Sequence, residues 1–463
     1  MKKLNAFLVS VFATVALNAA VIEQVIVRQQ WPWSTDVKVE YKLKDVTSPV
    51  DIAVKAYNGD VELPIPEAAI SGARYGVSDV VGTIVIDPVA AFGTAKVALA
   101  NFKVKLTITE APASRTEVLY KIIDIDANPV TVTDVTRADI LNGKYGTYET
   151  DYSVFSSFGR NIPGGYPDVT YSTTLSDVLV WTGVTNGDLY RTSKLALRKI
   201  PAAGKSFGMG VWKGTKIDCS FTKDFWIGVF PVTQYQLHRF LPDYVCNMSN
   251  RTYVAHALRV ADGLSWNTVR GDDGTSWPYG THANVGRGSF FNLFQSAVGN
   301  KRYDLPTEAQ WEFAARGGSD AMFPHGFDMT GVNPIYYYCY FGRLFMTPSN
   351  TDANSLDRNS MNNAEGAYPP GQYAPNAYGL YDVMGNVKQF CLDRADSTYS
   401  GRGGTDARGS ASDVGRSAWG GMCRIVRGGS YLNHFFDVGS VDNEVQWVTS
   451  GGAGFRLCLH EED

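Results

Sequence analysis

Segments in which apolar and polar residues alternate dominate the chain after residue 20, and this pattern limits the possible fold more than any other feature. Val37, Val39, Tyr41 and Leu43 alternate with charged residues, which is the period of a strand with one buried face. The pattern recurs at residues 52–56, 84–86 and 104–108, with turn-forming residues at 58–60, 87–88 and 111–112. Short strands joined by such turns predict that residues 21–125 form an all-β sandwich.

We expect this sandwich to be immunoglobulin-like or fibronectin-like, because strands of this length and spacing are typical of such domains. Residues 21–125 contain neither cysteine nor histidine, and no catalytic combination of side chains stands out in them. A structural or spacing role is therefore the expected one.

The chain has 463 residues, which is too many for one hydrophobic core, so a second domain is expected. Residues 126–192 are rich in Gly, Tyr, Thr and Ser and are interpreted as an irregular connecting region with some β content. The second domain is placed at residues 193–463. Its short strands, Gly-rich loops and few helices predict a mixed α+β, loop-rich fold.

Two helices of the second domain can be predicted from their first residues. Thr233 is a suitable N-cap, and the helix after it should end ahead of Pro242. Thr307 and Gln310 form the capping-box pattern at the start of the second helix, and Gly317 is suited to end it.

The first twenty residues have the features of a signal peptide. Lys2 and Lys3 precede an apolar run over residues 6–17, and the small residues Ala19 and Ala20 follow it. The run is too short to span a bilayer with ease, and no later stretch is long and apolar enough to do so. We expect cleavage near residue 20 and a secreted or periplasmic protein; the alternative is an uncleaved N-terminal anchor.

Composition argues against nucleic-acid binding, since the formal net charge is -4 and no run of Lys and Arg occurs. All six cysteines lie in the C-terminal half, at positions 219, 246, 339, 391, 423 and 458. No pair has C-x-x-C spacing, so a zinc site is not expected. Export would permit disulfide bonds, and buried free thiols are the alternative; spacing does not decide between them.

Several segments of the second domain, in chain order, resemble the motifs of the formylglycine-generating enzyme family, also called sulfatase-modifying factors. They are Ile200–Gly210 (IPAAGKSFGMG), Phe225–Tyr235 (FWIGVFPVTQY), Asp304–Gly318 (DLPTEAQWEFAARGG), Asn376–Phe390 (NAYGLYDVMGNVKQF), Arg427–Tyr431 (RGGSY) and Gly454–Leu457 (GFRL). Their order across about 260 residues makes the resemblance specific. It implies the family's compact fold, which is related to that of C-type lectins, and it does not extend before about residue 190.

The family oxidises a sulfatase cysteine to formylglycine with a copper ion held by two cysteine thiolates shortly after the RGGS motif. In this chain the corresponding positions are Asn433 and Val438. Cu(I) prefers soft thiolate ligands, which neither residue supplies, so copper binding is not expected there. His434 lies beside Asn433, but one histidine does not make a metal site, and a structural or surface role is expected.

The resemblance also implies a calcium loop. The family binds calcium through a side-chain oxygen, two backbone carbonyls and a glutamate, and the corresponding groups here are Asp382, the carbonyls of Gly385 and Val387, and Gln389. Calcium prefers hard oxygen donors, and all four positions offer one, although Gln389 replaces the carboxylate. Asn362 would belong to a second family calcium site upstream. The alternative is a tight turn held by hydrogen bonds without an ion.

Three functions remain open from the sequence. The leading hypothesis is a secreted, non-catalytic binding or scaffold protein for a glycan or a protein segment, since aromatic-rich glycine loops suit such surfaces. The second is a formylglycine-generating oxidase that uses other cysteines, such as Cys423 and Cys458. The third is a metal-dependent enzyme, such as an oxidoreductase, of unknown reaction.

Overall fold

The computed structural model describes residues 20–29, 33–94, 99–150, 178–210, 215–246, 257–318, 367–372, 375–395, 402–411, 422–430, 441–446 and 448–461. These residues form two compact units. The first contains the described residues up to Glu117 together with Thr136–Tyr145, and the second contains Val118–Val135 and the described residues from Gly146 onward.

The first unit is built from two antiparallel sheets. Its strands and helices are β1 (Val21–Gln29), β2 (Val37–Lys44), β3 (Val50–Asn58), β4 (Val61–Leu63), β5 (Ile70–Gly72), β6 (Val81–Ile86), β7 (Phe102–Glu110), α1 (Pro88–Phe92) and α2 (Arg137–Leu141). One sheet has the order β1-β2-β6-β5 and the other the order β4-β3-β7. Both sheets contribute side chains to one apolar core.

The alternation in β2 does what the sequence predicts. Val39, Tyr41 and Leu43 are at most 3% exposed, while the residues between them face outward or are half-buried. They pack with Ile52 from β3 and Ile84 from β6. The prediction that this part is mainly β-sheet is thus confirmed, and the immunoglobulin-like arrangement stays a prediction.

The second unit contains the remaining strands and helices. They are β8 (Val118–Asp124), β9 (Thr131–Thr136), β10 (Tyr148–Glu149), β11 (Val180–Trp181), β12 (Lys194–Ile200), β13 (Ser206–Met209), β14 (Ile217–Ser220), β15 (Phe225–Gly228), β16 (Tyr303–Asp304), β17 (Lys388–Arg394), β18 (Gly404–Thr405), β19 (Cys423–Arg427), β20 (Val441–Val445), β21 (Ala453–Gly454), β22 (Cys458–His460), α3 (Gln234–His238), α4 (Trp266–Val269), α5 (Phe290–Val298) and α6 (Glu308–Arg316). The described part of the chain is therefore mostly β-sheet with few helices.

A six-stranded sheet, β16-β22-β15-β12-β8-β9, forms the centre of the second unit. Strand β8 pairs antiparallel with β12, with Leu195 opposite Ile123. The structure thus differs from the predicted boundaries, because residues 118–124 belong to the second unit and residues 136–145 to the first. The reason for the first difference is that β8 pairs with β12 along its edge and Ile123 packs into the hydrophobic core of the second unit, and local alternation reveals neither contact. Strand β9 agrees with the β content expected of residues 126–192.

A second sheet, β20-β19-β17-β21, carries parts of three of the sequence motifs on adjacent strands. Strand β17 pairs with β19, with Gln389 opposite Arg427, and it pairs parallel with β21, with Gln389 opposite Gly454. Every residue of β17 is buried. The motifs that lie far apart in the sequence therefore meet along one buried strand.

The helix starts follow the predicted caps. The hydroxyls of Thr233 and Thr307 each accept a hydrogen bond from the amide of the third helical residue, and the side-chain oxygens of the glutamines there accept one from the threonine amides. Gly317 ends α6 with φ +59°. The first helix is shorter than predicted, since it stops at His238.

Helix α5 was missing from the sequence prediction. Ser289 caps it, Gly299 ends it in the left-handed conformation, and Phe290, Phe291 and Phe294 are fully buried. The signal was present as a capping serine before a helical apolar spacing and a terminal glycine. Among the described residues no helix is long and apolar enough to cross a membrane.

Candidate functional site

The loop that the sequence connects with calcium is a tight turn held by neighbouring backbone. Asp382 and Asn386 both have a positive φ, of 50° and 60°, a conformation that Asp and Asn tolerate better than most residues. The Asn386 amide oxygen accepts a hydrogen bond from the Tyr368 amide (3.0 Å), and its Nδ2 donates to the Tyr368 carbonyl (3.1 Å). The amide of Gly385 donates to the carbonyl of Gly428 (2.7 Å), which joins the loop to the RGGS segment.

Asp382 is buried and its carboxylate faces a backbone donor. Its Oδ2 accepts a hydrogen bond from the amide of Gly371 (2.6 Å). Burial raises the pKa of Asp382, while the hydrogen bond from Gly371 and the nearby charge of Arg456 act in the opposite direction. The carboxylate is thus positioned by the turn at residue 371.

Gln389 lies at the centre of the region, at the end of this loop. Its Oε1 accepts hydrogen bonds from the indole Nε1 of Trp311 (2.8 Å) and from Nε of Arg456 (3.0 Å). Its Nε2 donates to the carbonyl of Asp382 (2.8 Å). Because Trp311 and Arg456 can only donate, the orientation of the Gln389 amide is fixed by its partners.

Arg456, from the GFR motif, places a guanidinium among backbone carbonyls. Its Nη1 donates to the carbonyls of Gly228 (2.5 Å) and Val229 (2.8 Å), and its Nη2 donates to those of Tyr381 (2.5 Å) and Asp382 (3.2 Å). The side chain is fully buried. The guanidinium of Arg456 therefore supplies the hydrogen-bond donors for the carbonyl oxygens of Tyr381 and Asp382 at the start of the loop.

A cluster of buried ion pairs lies beneath α6. Glu308 receives two hydrogen bonds from the guanidinium of Arg402, one of them from Nε to Oε2 at 2.8 Å. The Glu312 carboxylate accepts hydrogen bonds from Nε of Arg316 (2.8 Å), from the amide of Gly210 (2.9 Å) and from Nη2 of Arg427. Both carboxylates are 0% exposed. Paired guanidinium and carboxylate groups offset each other's cost of burial, and losing one partner would leave a buried charge.

The pairing of these charged residues is not evident from the sequence alone. Glu308 and Glu312 lie four apart on α6, inside a run of buried apolar residues, and Arg427 comes from the RGGS motif. Charges at core-facing helix positions were the available signal, since such residues are rarely buried unless they are paired.

Asp393 of β17 completes this cluster. Its Oδ2 accepts a hydrogen bond from the amide of Glu308 (2.7 Å). Burial, together with the nearby Glu308 carboxylate, raises the pKa of Asp393 to about 7. The buried setting therefore favours the protonated form of this carboxyl group.

The comparison with known families decides the classification of the second unit. The model of the sulfatase-modifying factor enzyme 1-like domain matches residues 200–460, more than half of the chain. The chain belongs to this family.

Several members of the sulfatase-modifying factor family are similar in sequence. The formylglycine-generating enzyme of Thermomonospora curvata is 36% identical over 135 residues, which covers 28% of this chain and 39% of that enzyme. The formylglycine-generating enzyme of Streptomyces coelicolor is 31% identical over 166 residues, covering 34% of this chain and 47% of that enzyme. The chain thus spans less than half the length of these curated relatives.

One solved structure with a similar chain course is that of PvdO from Pseudomonas aeruginosa. It covers 57% of this chain and 94% of its own chain, with 20% sequence identity and a TM-score of 0.42.

The family's calcium loop can be tested against the contacts of Gln389. An amide oxygen has two lone pairs, and both are engaged by Trp311 and Arg456. Gln389 therefore does not fit as a calcium ligand in this arrangement. Asp382 and the carbonyls of Gly385 and Val387 stay predicted ligands, and Asn362 lies outside the described residues. Within the described residues no three His, Cys, Asp or Glu side chains lie close enough together to hold a metal ion.

The positions of the family's catalytic cysteines, Asn433 and Val438, also lie outside the described residues, as does His434. The described segment before them ends at Ser430, which is fully buried. Cys423 lies in β19 and Cys458 in β22, which belong to different sheets.

The sulfur atoms near this region are in an apolar setting. Cys219, Cys391 and Cys458 are free, buried thiols of one hydrophobic cluster. Burial raises the pKa of each thiol, to about 12 for Cys219, and nearby carboxylates add to the effect. A raised pKa suppresses the thiolate form, which is the nucleophile and the copper ligand.

Proposed function

We propose that this protein is an exported member of the sulfatase-modifying factor family that binds a partner molecule and does not oxidise cysteine to formylglycine. The observation that carries the proposal is the presence of Asn433 and Val438 where the family keeps two cysteines. A Cu(I) centre needs soft donors, and an amide and an isopropyl group supply none.

The described cysteines support the same view. Cys391 and Cys458 are fully buried, and burial holds the pKa of each thiol well above its usual range. A substrate thiol would need access to a copper-bound sulfur, and these groups are packed in a hydrophobic cluster.

The segments that match the family motifs form a buried, hydrogen-bonded framework, which favours a binding or scaffold role over loss of the fold. Glu312 and Arg427 pair beneath α6, and Arg456 is anchored by four carbonyl oxygens. Such a rigid core can position surface loops for recognition without any reaction taking place.

The proposal is tested with a copper-dependent oxidation assay. The purified protein is loaded with Cu(I) and incubated in air with a cysteine-containing sulfatase peptide, and formation of the aldehyde is followed by mass spectrometry. We expect no conversion by the wild-type protein. The double variant Asn433→Cys/Val438→Cys serves as the matched comparison, since it restores the two sulfur donors, and it should bind Cu(I) more tightly than the wild type.

The competing function, an oxidase that uses other cysteines, gives a different result. Turnover by the wild-type protein that is abolished in Cys423→Ser or Cys458→Ser would overturn the proposal. Turnover that survives both substitutions but requires another metal would overturn it in favour of a metal-dependent enzyme.

A further inference from the structure

A polar cavity opens in the second unit, and its lining includes none of the residues of the 382–389 loop. It has a volume of about 360 Å³ and is lined by the 221–224 turn, the start of α6, the end of β22 and the 406–408 segment. Pockets for small molecules have volumes of about 300–1,000 Å³, so this cavity is large enough for a compact ligand.

Two stacked histidines form part of the cavity wall. The rings of His282 and His460 lie 3.7 Å apart between centroids, at an interplanar angle of 16°. Nδ1 of His282 is 3.0 Å from Oδ2 of Asp304, and Asp304 is held by Nε of Arg270 at 2.8 Å. The carboxylate accepts, so His282 carries its proton on Nδ1.

The contacts of His460 fix its tautomer as well. Nε2 is 3.0 Å from the carbonyl of Leu305, which only accepts, so Nε2 carries the proton. Nδ1 then accepts from Nε2 of Gln310 (3.3 Å). Burial lowers the pKa of His460 well below its usual value, so this ring is neutral at physiological pH. The wall is therefore polar, rigid and uncharged at this ring.

Three carboxylates line the cavity, and protein donors hold each of them in place. Asp224 accepts from the amide of Ala203 (2.9 Å), Asp406 from the amide of Thr222 (2.9 Å), and Glu461 from the indole of Trp226 (3.0 Å). A carboxylate has about four lone-pair sites, so each can accept further hydrogen bonds from a ligand.

Cations are interspersed with these acceptors. Lys223 and Arg408 also line the cavity. The Arg408 guanidinium lies 4.0 Å from the ring centre of Trp277, whose Nε1 donates to the Arg408 carbonyl at 2.7 Å. Asp224 is also paired with Nζ of Lys199 at 3.0 Å, so the other two carboxylates and the two cations balance, and the lining gives no strong preference for an anion or a cation.

We propose that this cavity binds a neutral polyhydroxylated molecule, a carbohydrate of mono- or disaccharide size. Hydroxyl groups both donate and accept, so they can donate to the three carboxylates of the lining and accept from its two cations. The inference rests on the proposed binding role, for which it supplies the ligand class and the site.

The test is saturation-transfer NMR and calorimetry on the full-length protein with glucose, galactose, mannose, N-acetylglucosamine, maltose and cellobiose. Asp406→Asn and Glu461→Gln remove charge from the cavity and keep an oxygen for the Thr222 amide and the Trp226 indole. We expect each to weaken binding at least about tenfold, because hydrogen bonds to a charged group are stronger than those to a neutral one. Asp243→Asn, at an exposed position outside the cavity, is the matched control and should leave binding unchanged.

Absence of saturation transfer from every sugar at about 10 mM, a weak-binding regime, would overturn the carbohydrate assignment. Binding of phosphate, spermidine or glycine in place of sugars, weakened by the same variants, would overturn the neutral ligand class. Equal sugar binding by the wild type and both variants would place the site elsewhere. None of these results bears on the oxidation assay, so failure of the ligand assignment is distinguishable from failure of the proposed function.

Discussion

Asp393 accepts a hydrogen bond from the amide of Glu308 at 2.7 Å, so a carboxyl group of β17 faces the first residue of helix α6. A negative or polar group at this place satisfies a donor that the helix itself leaves unpaired. The same burial that aligns the two groups makes the ionised form of Asp393 costly.

This arrangement predicts a pH-dependent stability. The pKa of Asp393 is raised from 3.8 to about 7 in the folded protein, so the folded state binds the proton more tightly than the unfolded chain does. The contribution of this group to the free energy of unfolding is fully present below about pH 4 and is lost as the pH rises through 7. Urea unfolding measures the free energy of unfolding of the wild type and of Asp393→Asn across this range. As the pH rises from 4 to about 7, the stability of the variant should increase relative to that of the wild type.

Asp218→Asn, at an exposed position, is the control and should shift stability by the same small amount at each pH. A constant difference between the wild type and Asp393→Asn over the whole range would contradict the assignment.

The buried thiols should resist alkylation. Cys391 and Cys458 are 0% exposed and burial raises the pKa of each thiol. Iodoacetamide should modify them slowly in the native protein and readily in urea, because only the accessible thiolate reacts. Mass spectrometry after timed quenching measures this, with Ala297→Cys on the exposed face of α5 as a reactive reference. Modification of Cys458 at the rate of residue 297 would show that the thiol is accessible.

Calcium dependence should respond to one substitution at Gln389. In the wild type, Nε2 donates to the carbonyl of Asp382 at 2.8 Å. Gln389→Glu replaces this donor by a carboxylate oxygen, which would face the carbonyl oxygen of Asp382. Without calcium the two oxygens would repel each other, and with calcium both could coordinate the ion. We expect the variant to be less stable than the wild type in chelator and to gain more in Tm from calcium.

Thermal scans with calcium, magnesium and EDTA measure this effect, and Asp382→Asn in the same background should reduce the gain. Identical calcium responses of the wild type and Gln389→Glu would remove the loop as a calcium site.

Gly428 is expected to be intolerant of a side chain. It has φ +91°, and an added Cβ would lie 2.7 Å from the carbonyl oxygen of Val383 and 3.1 Å from the Trp311 ring. Gly404 also has a positive φ, of 107°, but nothing lies within 4 Å of the added Cβ. Gly404→Ala should cost about 1–2 kcal/mol from backbone strain, and Gly428→Ala should cost more because the clash is added. Denaturant unfolding compares the two; equal losses would show that the neighbours of Gly428 move aside.

Export is predicted from the first twenty residues. Lys2 and Lys3 followed by the apolar run at residues 6–17 should direct the chain to translocation and cleavage near Ala20. N-terminal sequencing of the protein recovered from the periplasm or the medium should begin close to Val21. Recovery of a membrane-bound chain with an intact N-terminus would favour the anchor alternative.

The parts of the fold that depend on neighbouring residues could be predicted from the sequence. The capping boxes at Thr233 and Thr307 and the alternation in β2 are local patterns, and the structure contains all three. The pairing of β8 with β12 could not be predicted, because sheet partners are chosen by burial of whole faces.

The same distinction applies to the candidate site. The loop at residues 382–389 could be found by resemblance, whereas the state of Gln389 depends on Trp311, 78 positions away, and on Arg456, 67 positions away. A one-dimensional pattern shows that an oxygen is present and does not show which donors already occupy its lone pairs.

Strand β22 inserts between β15 and β16, with Cys458 opposite both Ile227 and Asp304. During synthesis the central sheet therefore cannot be completed until residue 460 has left the ribosome, and until then β15 has an unpaired edge. The chain between Gly228 and Cys458 must form a closed loop before β22 can pair with β15, and loops of this length close slowly. The nascent domain should therefore stay unfolded longer than its helices require and should bind chaperones during that time. Fragments that stop before residue 458 should aggregate through that edge.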